Sequence, residues 1–155
     1  MSLPTPATYD TWMARALELA DVAALENEVP VGALVTDAAG AVVGEGRNLR
    51  AHTHDPTAHA EIVAIRQAAA SVGSWNLDGC TLVVTLEPCL MCAGALLQAR
   101  ITRLVFGAWD AKAGATGSMY DVVRDRRLPY RAEVVGGVRA AESEALLGSF
   151  FETRR

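Results

Sequence analysis

The chain has 155 residues, 51% of them hydrophobic and 21% charged, with a formal net charge of −4 at pH 7. That length fits one domain and buries roughly 68–70% of the surface its unfolded chain exposes, so the core needs no disulfides and a disordered chain is excluded. The negative charge speaks against a polyanion partner, but it belongs to the first 30 residues, where Asp10, Glu18, Asp21, Glu26 and Glu28 stand against Arg15 alone.

Three cysteines are too few, and an odd number, for a secreted disulfide framework. No apolar run has the length of a membrane span. The N-terminus has no basic region followed by an apolar stretch, so a cytoplasmic protein without a membrane partner is expected.

One domain is expected over 1–155, with residues 1–8, rich in Pro and Thr, frayed. Tyr9 to Asn27 reads as an amphipathic helix, since Trp12, Met13, Ala16, Leu17, Ala20, Ala23 and Ala24 follow the helical period and Pro30 stops it. Val31–Thr36 and Ala41–Gly46 flank Asp37-Ala38-Ala39-Gly40 as a hairpin. Arg47–Thr57 reads as a polar loop. Ala58–Ser71 reads as a helix capped by Asp55 or Thr57. Thr81–Leu86 is a strand whose Leu82-Val83-Val84 run suggests burial on both faces. Cys89–Ala99 is a helix, Arg103–Phe106 a strand, Gly107–Gly117 a loop and Met119–Val123 a helical turn. Ala132–Val135 is the last strand and Ala140–Arg154 the last helix. Strands alternating with helices after an opening hairpin predict a three-layer α/β/α sandwich on a five-stranded mixed sheet.

Two of these helix starts carry chemistry. His59-Ala60-Glu61 opens one and Pro88-Cys89-Leu90-Met91-Cys92 the next. In a chain of this composition His-x-Glu arises by chance ~0.2 times and Pro-Cys-x-x-Cys ~0.0015 times, so the pair is specific where the first alone is not. Cys89 and Cys92 are three apart and share a helix face. Both lie in the first turn, where the helix dipole favours thiolates. With the neutral imidazole of His59 they form a three-ligand set for one Zn²⁺, of zero net charge, that leaves the fourth tetrahedral position to water. Three protein ligands and an open position mark a catalytic zinc, whereas a structural zinc takes four. Glu61 is then the general base toward that water. At i and i+2, His59 and Glu61 do not share a helix face. They reach one point only if the helix start aims at it.

The two halves resemble the signature of the zinc-dependent nucleobase deaminases, in the cytidine/deoxycytidylate deaminase superfamily. The longer strings Pro56-Thr57-Ala58-His59-Ala60-Glu61 and Thr85-Leu86-Glu87-Pro88-Cys89-Leu90-Met91-Cys92-Ala93-Gly94-Ala95 are similar to those of the bacterial tRNA-specific adenosine deaminases of the TadA type. So are Glu28-Val29-Pro30-Val31-Gly32-Ala33, Gly44-Glu45-Gly46-Arg47-Asn48 and Val105-Phe106-Gly107-Ala108, and the resemblance spans nearly the whole chain. It implies hydrolytic deamination of the wobble adenosine of a tRNA anticodon to inosine by a cytoplasmic homodimer, with the tRNA for arginine as substrate. It implies that Asn48 bonds the flipped base and that the backbone around Leu86 and Glu87 faces the leaving amine. Asp110 would lie near the nucleotide sugar, and Phe150, Phe151, Arg154 and Arg155 near the anticodon loop. Trp109 and Glu152 depart from the family, which more often has polar or basic residues there.

Blander readings stand beside these. Glu61 can serve a helix dipole, Asn48 a turn, and Asp110 a loop cap. One of Phe150 and Phe151 is expected in the core, because successive helical side chains point about 100° apart. Arg124, Arg126, Arg127 and Arg131 read as a solvated face or as phosphate contacts. Two rival functions remain at this stage. One is a deaminase of guanine, cytosine or a nucleoside. The other is a zinc-stabilised binding module, which needs a fourth protein ligand and no use for Glu61.

Overall fold

Helix α1 (Pro6–Leu25) opens the computed structural model, which describes residues 4–154. Thr5 caps it, accepting the Thr8 amide on its hydroxyl, and Pro6 follows, where a helix has no use for an N–H. Residues 6–8, expected to fray, are thus its first turn; residues 1–3 and Arg155 lie outside the described residues. The hairpin forms as read, from β1 (Gly32–Thr36) and β2 (Val42–Arg47), with Asp37 Oδ1 accepting the amides of Ala39 and Ala41 in the turn. Then follow α2 (Arg50–Thr53), α3 (Ala60–Val72), β3 (Thr81–Leu86), α4 (Leu90–Gln98), β4 (Arg103–Ala108), β5 (Glu133–Val135) and α5 (Ala140–Glu152).

The sheet order is β2-β1-β3-β4-β5. Strand β1 is antiparallel to both its neighbours, while β3, β4 and β5 run parallel. Side chains of a strand alternate between faces, and here both faces are covered. Ala33, Val35, Leu82, Val84, Leu104 and Phe106 meet Ala60, Ala64 and Ala68 of α3 and Ala93, Leu96 and Leu97 of α4. Leu34, Val83 and Val105 meet Trp12, Met13, Ala16 and Leu17 of α1. This is the expected three-layer sandwich, and it explains the unbroken apolar run of β3.

One contact sets the position of the site. Helix α3 lies on β2 with no side-chain layer between them, because β2 carries Gly44 and Gly46 where α3 carries Ala60, Ala64 and Ala68. A Cβ on Gly46 would overlap the Ala60 carbonyl oxygen and come within 2.6 Å of the Ala64 amide nitrogen. The backbone of α3 is therefore held against the strand at the turn that bears Glu61.

Four local readings are corrected. Arg47–Thr57 is not wholly a loop, since Arg50–Thr53 make one helical turn. Helix α3 begins at Ala60, with His59 as its cap, rather than at Ala58. Asp55 caps the preceding turn instead, accepting the Thr57 amide and hydroxyl at 2.8 and 2.7 Å. Met119–Val123 is not helical: Thr116 and Asp121 form an isolated bridge there, and the Met119 and Tyr120 amides both turn back to the Gly114 carbonyl.

Candidate active site

His59 and Cys89 occupy equivalent places, each the cap residue of its helix, each extended (φ −67°, ψ 156° and φ −73°, ψ 176°), and neither capping with its side chain. The two side chains are thereby free to meet in front of two helix N-termini. The extended backbone at His59 also removes the difficulty of the i, i+2 spacing. The His59 side chain leaves before the helix starts and Glu61 leaves from its first turn, so both face one cavity.

His59 Nδ1 lies 3.5 Å from Cys89 Sγ and 3.4 Å from Cys92 Sγ. The three ligand atoms all fall within 4.8 Å of one another. Nitrogen and sulfur at zinc-ligand distances from a tetrahedral centre stand about 3.6 Å apart, so the spacing and the donor set fit zinc. Among the described residues no fourth His, Cys, Asp or Glu joins the group. Cys80, the third cysteine, is buried elsewhere. The Cys89 thiol is drawn down to about 4, mainly by the Cys92 thiol that donates to it and then by His59. Cys92 keeps the shared proton and moves up, and the bond to Cys89 raises His59. Burial pushes the Glu61 carboxyl up; it is only 4% exposed.

The cavity in front of this group has a volume of about 180 Å³. Val29, Val31, Leu86 and Ala113 give it apolar walls, and Asn48, Arg50, Glu87 and Asp110 complete the lining. Asn48 is buried, and its Oδ1 accepts the Arg50 amide at 3.2 Å, which leaves its NH2 to donate. Asp110 Oδ1 accepts the amides of Lys112 and Ala113, both at 3.1 Å. Seven expected residues therefore converge on one cavity: His59, Glu61, Cys89, Asn48, Leu86, Glu87 and Asp110. Cys92 sits behind the rim, fully buried.

The C-terminal residues lie beside the cavity, not in it. Phe150 is the inward member of its pair and lines an adjoining groove that shares Val29, Asn48 and Arg50 with the cavity, whereas Phe151 is exposed. Arg154 lies over the Phe150 ring, 3.6 Å from its centroid, and bonds Asn27 Oδ1. In the basic stretch Arg124 and Arg127 are paired with Asp121 and Asp125.

Sequence reading missed three features. Val29 and Val31 flank Pro30 inside a string already singled out, so a signal existed. Arg50 reaches the cavity because of the unforeseen turn of α2, and nothing local announces that. The Glu87 side chain does not face the cavity centre but turns into the loop after β4, where it accepts four bonds.

Residues 6–108 match the model of the cytidine and deoxycytidylate deaminase zinc-binding region. A tRNA-specific adenosine deaminase of Haemophilus influenzae is 50% identical over 148 residues, which is 95% of this chain and 86% of that protein. A solved structure from work on A-to-I editing by tRNA:A34 deaminases at the wobble position superposes with a TM-score of 0.85 at 39% identity, covering 88% of this chain and 99% of that one. A guanine deaminase of Nitrosomonas europaea superposes with a TM-score of 0.78 at 26% identity, covering 97% and 86%. The two-helix zinc set, the buried glutamate beside it and this similarity along the chain agree: the protein belongs to the cytidine and deoxycytidylate deaminase zinc-binding family.

Proposed function

We propose that this chain hydrolytically deaminates the wobble adenosine of a tRNA anticodon to inosine, acting as a homodimer in the cytoplasm, with the tRNA for arginine as substrate. The observation that carries the reading is 50% identity to a tRNA-specific adenosine deaminase over 95% of the chain, with the zinc set and Glu61 intact around one cavity. His59, Cys89 and Cys92 would hold zinc, which when bound brings the pKa of a water to about 7 and so supplies the nucleophile.

The chain's own residues do the rest. Glu61 takes the proton of the attacking water and gives it to the ring nitrogen beside the attacked carbon. A second transfer through the same carboxylate lets the exocyclic amine leave as ammonia. Val31 and Leu86 exclude water from the base, and the Asn48 NH2 donates to an acceptor on it. A base can reach this cavity only when swung out of its stack, which a loop nucleotide does at little cost. Arg154 and Phe150 stand beside the groove that continues from the cavity, where flanking nucleotides would run.

The test is inosine formation in an anticodon stem-loop of the tRNA for arginine, beside free adenine, guanine, cytosine and their nucleosides. Inosine in the stem-loop is expected; turnover of guanine alone would move the chain to the reading that its likeness to a guanine deaminase supports. Arg154→Ala is expected to raise KM for the stem-loop several-fold and to leave turnover of any free nucleoside unchanged.

The dimer reading is supported by large apolar side chains left in solvent: Leu90 at the start of α4 is 54% exposed, and Met119 and Tyr120 beyond the loop after β4 are 57% and 52% exposed. Burying such side chains against a second copy would remove their apolar surface from water. Light scattering is expected to give twice the chain mass; a monomer would refute it.

A further inference from the structure

Glu87 is 2% exposed, and among the described residues no cation pairs with its carboxylate. Taking a carboxylate out of water is costly unless donors replace its hydration, and here four do. Its Oε1 accepts the Asp110 amide at 3.0 Å and the Ser118 hydroxyl. Its Oε2 accepts the amides of Thr116 and Ser118 at 3.1 and 3.0 Å. Residues 110–118 thus wrap the carboxylate as a backbone nest wraps an anion. Gly114 makes room for it, since a Cβ there would overlap the carboxylate itself. The next residue of the chain, Pro88, takes the Ala115 amide on its carbonyl at 2.8 Å, and after it comes Cys89.

The bonds fall at both ends of the loop, at Asp110 and at Thr116 and Ser118, and of the loop's two contributions to the cavity, Asp110 is held directly and Ala113 lies between the ends. Hydrogen bonds to an ionised carboxylate are stronger than bonds between neutral groups, so several of them hold the donors in place. The loop is consequently registered against the end of β3, the strand that leads into the zinc set. We propose that Glu87 is a positioning residue for the substrate: through its side chain it fixes Asp110 and Ala113 relative to the zinc ligands and so sets the fit of the nucleotide in the cavity. This rests on the nucleotide substrate proposed above. It concerns the side chain and is separate from any part the Glu87 backbone plays.

The test compares wild type with Glu87→Gln and Ser118→Ala, all zinc-loaded. Gln keeps the shape but offers a donor where two amide N–H groups, or an N–H and a hydroxyl, already point. For Glu87→Gln we expect KM for the stem-loop to rise at least tenfold, kcat to stay within threefold, and zinc to stay at one per chain. We also expect faster amide hydrogen exchange confined to residues 110–118. Ser118→Ala removes one bond and should shift the same quantities in the same direction by less, which keeps the proposal testable if Glu87→Gln does not fold. Unchanged KM with accelerated exchange would overturn it, as would loss of zinc or a fall in kcat alone, which would assign Glu87 to the ligand helix. If wild type turns over a free nucleoside and not the stem-loop, the proposed substrate fails, and the same comparison made with that nucleoside still decides the role of Glu87.

Discussion

Glu61→Gln is expected to lower kcat by a factor on the order of 10²–10⁴ while zinc stays bound at one ion per chain. The two halves of that result have separate causes. The ligand atoms belong to His59, Cys89 and Cys92, and none to Glu61, so the ion loses nothing when the carboxylate becomes an amide. Glutamine fills the same volume in a site where the wild-type side chain is 4% exposed, so the cavity keeps its shape. What disappears is the group that takes a proton from water and delivers it to the base. Burying a charged carboxylate costs free energy, so the melting temperature should hold or rise. That combination of intact metal, intact stability and lost turnover separates an enzyme from a zinc-stabilised binding module. Full activity in Glu61→Gln would remove the proton-transfer role assigned here, and loss of zinc would make Glu61 part of the metal site.

The zinc set was legible in the sequence because its parts are local. Cys89 and Cys92 are bound to each other by helical spacing, and both motifs lie at helix starts that Pro56 and Pro88 announce. The layer order was legible for a similar reason, as each strand and helix has its own apolar period. What escaped depends on distant partners. The two-residue difference between a helix beginning at Ala58 and one beginning at Ala60 with His59 as its cap decides whether His59 and Glu61 can face one point, and only the fold around Asp55 and Thr57 settles it. The resemblance gives Glu87 a backbone role only; the meaning of its side chain comes from amides 23 to 31 residues later in the chain. Met119–Val123 has side chains that suit a helical turn, but the loop folds around the Glu87 carboxylate and takes their amides for itself.

Gly46→Ala should be among the most damaging single-methyl additions in the chain. The added Cβ would overlap the Ala60 carbonyl oxygen, with the Ala64 amide nitrogen at 2.6 Å. Both are backbone atoms inside a helix and cannot rotate away as a side-chain tip would. Relief requires α3 to lift from β2, against the interleaving of Ala60, Ala64 and Ala68 with the sheet. Overpacking of this kind costs about 1–3 kcal/mol, and here the upper end or more is expected, read as a lower denaturant midpoint. Function should suffer further than stability does. His59 caps α3 and Glu61 stands in its first turn, so a helix displaced by about 1 Å moves a metal ligand and the general base together, and a misplacement of that size can cost about 10²-fold in rate. Gly148→Ala is the control. It lies in α5 with nothing within 4 Å of the new Cβ, so the gain in helix propensity should stabilise the protein by about 0.5–1 kcal/mol. If Gly46→Ala proves as harmless as Gly148→Ala, the direct seating of α3 on β2 is not what holds His59 and Glu61 in place.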